Sequence, residues 1–134
     1  MIADRIPIID VDSHVIEPDD LWSSRMPKKW ADIQPRVQHV PSRGEDFWFI
    51  GDVPASTAWG LAAAGWHEHL PSHPRVKDDV HPSHYDPLER VKALDEHGVA
   101  APVLDPNILG FSINTLLTVG DSEFQLACVQ AYND

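Results

Sequence analysis

Cysteine is almost missing. Cys128 stands alone in 134 residues, so no disulfide can form within the chain. That usage suits a reducing compartment, and cytoplasmic is the expected location. Long apolar runs are missing too: none approaches the roughly 18 residues needed to cross a bilayer. The opening Met1-Ile2-Ala3-Asp4-Arg5 lacks the apolar stretch of a secretory signal. Positive charge is scarce. Ten Lys and Arg face 21 Asp and Glu, a formal net charge of −11 with neutral histidines. So acidic a chain, with no basic run, repels nucleic-acid phosphates and anionic membrane surfaces, and neither is an expected partner. Proline (12) and histidine (8) are in excess instead, which points to irregular segments that carry chemistry. With 43% apolar and 23% charged residues the chain has the means for a packed core and is not a disordered one.

Pro7–His14 (PIIDVDSH) reads as a buried strand with a polar end. Strict alternation sends Ile9 and Val11 one way and Ile8, Asp10, Asp12 and His14 the other, two carboxylates and an imidazole in a row. A long excursion follows, from Val15 to Tyr85. Pro18 and Asp19-Asp20-Leu21-Trp22 open a short helix. Arg36–Val40 and Asp46–Ile50 read as a β-hairpin around the turn residues Pro41 to Glu45. Ser56 to Pro82, with its histidines and prolines, reads mostly as loop, some of it mobile. From Asp86, the residues Leu88, Val91 and Leu94 share one helical face and Gly98 ends the helix. Val99–Leu104 is a second buried strand, with Pro102 an awkward member. After a loop through Gly110, Phe124, Ala127, Cys128, Ala131 and Tyr132 mark a helix capped at Asp121-Ser122. Strand, helix, strand, helix begins a βα series, and such a series normally continues.

A D-x-H pair on one strand end supplies two metal ligands whose spacing the strand fixes. The spacing alone is weak; with an apolar strand and a second aspartate before it, it gains specificity. Ile8 to Pro18 (IIDVDSHVIEP) resembles the opening of the amidohydrolase-related (amidohydrolase family 2) proteins. Tyr85 to Val99 (YDPLERVKALDEHGV) resembles that family's first barrel helix leading into strand two. Ala127 to Asp134 (ACVQAYND) is similar to a third family segment, which normally runs on into a tryptophan and more chain.

The resemblance implies an α/β fold, the first βα units of a (β/α)₈ TIM-type barrel with a hairpin-bearing insertion after strand 1. The whole of 1–134 then reads as one N-terminal barrel segment: 1–14 strand 1, 15–85 insertion, 86–134 helix, strand 2 and helix. Family members are metal-dependent hydrolases or non-oxidative decarboxylases acting on a carboxylate or carbonyl substrate. The superfamily's H-x-H ligand pair matches Asp12 and His14 here. This carboxylate-x-His form occurs in decarboxylase relatives such as aminocarboxymuconate-semialdehyde and resorcylate decarboxylases. The cofactor implied is one divalent ion, Zn²⁺ or Mn²⁺. Two ligands are too few to hold it firmly, so the fragment alone is expected to bind it weakly and to be inactive. Asp10 is expected to support the pair through hydrogen bonds. Glu17, His67 and His69 are candidate substrate or lid residues. The bland readings are a solvated Glu17 beside Pro18, a surface histidine cluster for His67-x-His69 and for His81-x-x-His84, tryptophans that pack the excursion, and a Cys128 inert in the core. The alternative function is a small non-catalytic α+β interaction module or an inactive truncated product. The expected partners are a small-molecule substrate and further copies of the chain, associating through exposed strand edges.

Overall fold

The computed structural model describes residues 6–134. The chain runs β1 (Ile8–Val15), α1 (Leu21–Arg25), β2 (Pro35–Val40), β3 (Glu45–Ile50), β4 (Val53–Thr57), α2 (Pro87–His97), β5 (Val99–Pro106), α3 (Ile113–Thr118) and α4 (Ser122–Asn133). The apolar runs on either side of the excursion meet: β1 and β5 form a two-stranded parallel sheet. Parallel neighbours need a long crossover, and the excursion with α2 supplies it. The expected hairpin is present as β2 and β3, but a third antiparallel strand, β4, completes that sheet. Its Pro54-Ala55-Ser56 has no apolar alternation, so the strand is invisible as a pattern.

The two long helices start where the sequence indicates, and α2 also stops there. Asp86 caps α2, its Oδ1 accepting from the Leu88 and Glu89 amides at 2.8 and 3.2 Å, with Pro87 in the first turn. Gly98 then takes the left-handed conformation at φ 72° that ends the helix. Asp121 caps α4 through the Phe124 amide at 3.0 Å. The expected inward face of α2 needs correction. Leu88 and Val91 are exposed, whereas Arg90, Ala93 and Leu94 are half-buried and line a cleft shared with β1. The true inward stripe is 90/93/94, rotated from the most apolar one, because Arg90 spends its guanidinium on the strand end.

The core is not under the parallel sheet. Its buried members, among them Trp22, Trp48, Trp59, Ile50, Phe124 and Cys128, come from the excursion, from α3 and α4, and from residues just past the strand ends. Trp22 meets Trp48 edge to face with centroids 5.3 Å apart, and its Nε1–H donates to the Cys128 carbonyl at 3.1 Å. Trp30 meets Phe124 at 5.4 Å. So the tryptophans do pack the excursion, and against α4. The 56–82 stretch, read as mostly loop, is irregular but packed: Ala58, Trp59, Ala62 and Val80 lie in the core. Burial has pushed the Cys128 thiol up to about 12, leaving it protonated and unreactive.

A polar tie closes this layer. His73 faces acceptors with both ring nitrogens, Nε2 with Glu45 Oε1 at 2.6 Å and Nδ1 with the Pro71 carbonyl at 3.1 Å. Two acceptors require two ring protons, so the ring is an imidazolium, and the Glu45 carboxylate holds its pKa above the ordinary value of 6.5. A raised folded pKa contributes stability that is complete below 6.5 and is lost as pH climbs through the folded value. His73→Gln is therefore expected to flatten the stability curve on the alkaline side of 6.5, by about 1 kcal/mol or less given the partial exposure of the pair. Urea midpoints at pH 5.5 and 8.5 measure it; an equal loss at both pH values contradicts the charged assignment.

Candidate functional site

The polar end of β1 is not a regular strand. Asp10 lies opposite Pro102 and Ser13 opposite Leu104, so three steps on β1 match two on β5. This is a bulge, and Pro102 sits where it begins, a position at which a strand tolerates proline. Strict alternation across Asp10–His14 is thus broken. Asp10 ties the extra residue in: its Oδ1 accepts from the Asp12 amide at 3.1 Å and its Oδ2 from the Ser13 hydroxyl at 2.5 Å. Those bonds, the Ser13 one foremost, hold the Asp10 carboxyl below the usual carboxylate range.

Across the end of the bulge, Asp12 and His14 come together. Asp12 Oδ1 and His14 Nε2 are 3.2 Å apart, with the carboxylate open to solvent and the imidazole mostly covered. Two donors bound to one ion at about 2.0–2.2 Å stand roughly 3 Å apart, so this pair is spaced as two neighbouring ligands are. A carboxylate oxygen and an imidazole nitrogen are also the donor types that Zn²⁺ and Mn²⁺ accept. Among the described residues no group of three or more His, Cys, Asp or Glu is arranged to hold a metal.

The pair opens into a cleft of about 650 Å³ lined also by Asp10, His81, His84 and Arg90. Arg90 reaches from α2 to donate to the His14 carbonyl at 3.2 Å, pinning the strand end that carries the two donors. His84 corrects the reading of His81-x-x-His84 as a surface cluster, because His84 is buried. Its Nε2–H donates to the Ala64 carbonyl at 3.2 Å and its own carbonyl accepts from the Ile16 amide at 3.2 Å. Burial pushes the His84 pKa down, so it faces the cleft as a neutral imidazole. A short proline-led turn, Pro82–His84, folds it in, and no sequence signal distinguishes that turn from the loop around it.

The other candidates separate. His67 lies against Trp66 at 4.4 Å between centroids and lines a different hollow of about 180 Å³, and His69 is exposed. His81 touches both spaces. Glu17 is not the solvated loop acid its neighbour Pro18 suggests. It is 2% exposed, and its Oε1 accepts from the Asn107 and Ile108 amides at 2.7 and 2.9 Å.

No protein-family model matches this chain, and no curated protein matches it. A solved structure does: the amidohydrolase map2389c from Mycobacterium avium subsp. paratuberculosis K-10, with a TM-score of 0.67 over 95% of this chain at 21% identity. The fold is amidohydrolase-like. The chain spans 37% of that amidohydrolase's length. Among the described residues no helix is long and apolar enough to cross a membrane.

Proposed function

We propose that the chain supplies the strand-one part of a metal-dependent site in an amidohydrolase-type enzyme. The observation that carries this reading is the 3.2 Å approach of Asp12 Oδ1 and His14 Nε2 at the C-terminal end of a parallel strand, facing a cleft. Parallel α/β folds place their ligands at that end of the sheet. In this reading Asp12 and His14 hold one divalent ion, Zn²⁺ or Mn²⁺, and Asp10 and Arg90 fix the backbone beneath them. When bound, such an ion polarises a carboxylate or carbonyl group of a small-molecule substrate. Hydrolysis and non-oxidative decarboxylation both start from that polarisation, and the carboxylate-x-His form of the pair favours decarboxylation. In this reading the remaining ligands and the substrate pocket come from further barrel strands. In this division 1–14 is the strand-one segment, of which 1–5 lie outside the described residues and Ile8 to His14 belong to β1; 15–85 is the insertion, and 86–134 a helix, strand 2 and a helix. Without those further strands the ion is held weakly and turnover is not expected. In this reading His67 and His69, on the insertion, belong to a lid.

The test is metal content. After dialysis against chelator and reloading with Zn²⁺ or Mn²⁺, Asp12→Ala and His14→Ala are each expected to lower affinity at least about tenfold, since losing even an outer support of a ligand costs that much. His67→Ala with His69→Ala is expected to leave it unchanged. Unchanged binding in both strand variants, with loss in the loop variant, overturns the assignment.

A further inference from the structure

Glu17 and Asn107 stand at equivalent places, Glu17 two residues beyond the end of β1 and Asn107 one residue beyond the end of β5. Both are buried, at 2% and 8% exposure. Glu17 Oε1 is well served by two backbone amides. Asn107 Nδ2 donates to the Val15 carbonyl at 2.5 Å. That leaves two oxygens, Glu17 Oε2 and Asn107 Oδ1, each buried and each with no hydrogen-bond partner. A buried acceptor left unsatisfied costs about 1–3 kcal/mol, and more if it carries charge. Rotating the Asn107 amide does not help, because it would set Oδ1 at 2.5 Å from the Val15 carbonyl oxygen, acceptor against acceptor.

One proton resolves both. We infer that Glu17 is kept as a neutral acid whose Oε2–H donates to Asn107 Oδ1, so that a single shared proton clamps the ends of β1 and β5 together. The clamp sits directly below the strand end that carries Asp12 and His14, and it stands whether or not those residues hold an ion. Tyr132 on α4 and Asp105 on β5 lie within electrostatic reach of each other, and burial, the largest influence, raises the Tyr132 phenol pKa, so it stays neutral. Burial, the largest influence on Glu17 itself, raises its pKa above the ordinary 4.5.

The sign of the pH dependence follows. A carboxyl whose folded pKa is raised binds its proton more tightly when folded, so its contribution is complete below 4.5 and is lost as pH rises to the folded value. Each unit of separation is about tenfold in the folding equilibrium constant. Glu17→Gln presents an oxygen to the two amides and an N–H to Asn107 Oδ1, the same pattern without a titration. It is expected to fold as well as the parent at pH 5 and better at pH 8, with the intervening slope reduced. Glu17→Ala is expected to be worse than both at every pH, and rescue by glutamine separates a hydrogen-bonding role from simple space filling. The direct measurement is the carboxyl ¹³C chemical shift of Glu17, expected to remain that of a protonated acid well above pH 4.5. An ordinary carboxylate midpoint, or Glu17→Gln as damaging at pH 8 as Glu17→Ala, overturns the inference.

Discussion

Trp22→Ala is expected to lower stability by about 3–5 kcal/mol, the usual cost of removing a fully buried indole. The side chain is completely covered, stands edge to face with Trp48, and donates to the Cys128 carbonyl of α4. Alanine would therefore remove the ring contact between the excursion and its sheet, and the hydrogen bond between the excursion and α4. Of these the cavity dominates, because a net hydrogen bond is worth only about 1 kcal/mol. Domains of this size hold about 5–15 kcal/mol in all, so the variant is expected to be largely unfolded at 37 °C. Trp22→Phe keeps most of the volume and gives up the N–H, and should cost about 1–2 kcal/mol. Urea titration followed by tryptophan fluorescence and far-ultraviolet circular dichroism measures both. A loss under 1 kcal/mol for the alanine variant would show that the core is not organised around this residue.

The second large effect concerns the surface. Val11 on β1 is 70% exposed and Leu88 on α2 is 74% exposed, with Ile9, Val103, Leu104 and Val91 also open. Apolar side chains at this density along a two-stranded sheet with open edges are a surface for association. The isolated chain is expected to form concentration-dependent oligomers in sedimentation velocity. Taking one large aliphatic side chain out of water is worth about 1.5–3 kcal/mol. Val11→Lys together with Val103→Lys should therefore weaken self-association by a hundredfold or more, since about 3 kcal/mol is roughly two decades in Kd. Neither residue belongs to the core cluster, so the folded signal by circular dichroism should persist. A parent chain that stays monomeric at high concentration contradicts this expectation.

The exposed sheet also bears on what the fold is. An autonomous module would be expected to cover its own strands, and here the covered surface belongs to the excursion instead. The excursion core explains how so much of the chain is nonetheless ordered around tryptophans.

Much of the architecture was local enough to read directly. Capping at Asp121, the Gly98 stop, the two strands that later pair in parallel, and the β2–β3 hairpin all depend on residues within a few positions of one another. The D-x-H spacing of Asp12 and His14 is local in the same way. What the tertiary structure alone decided was which surfaces meet. The bulge at Asp10–Ser13 arises from pairing with β5, so alternation could not foresee it. The inward stripe of α2 was set by Arg90 reaching the His14 carbonyl, a contact across 76 positions. His84 joined the cleft, and Glu17 went inside to meet Asn107, because the excursion folded back over the strand ends. Hydrophobic periodicity reports an element's own preference; the partner it packs against decides which side is used, and that partner lies far away in the chain.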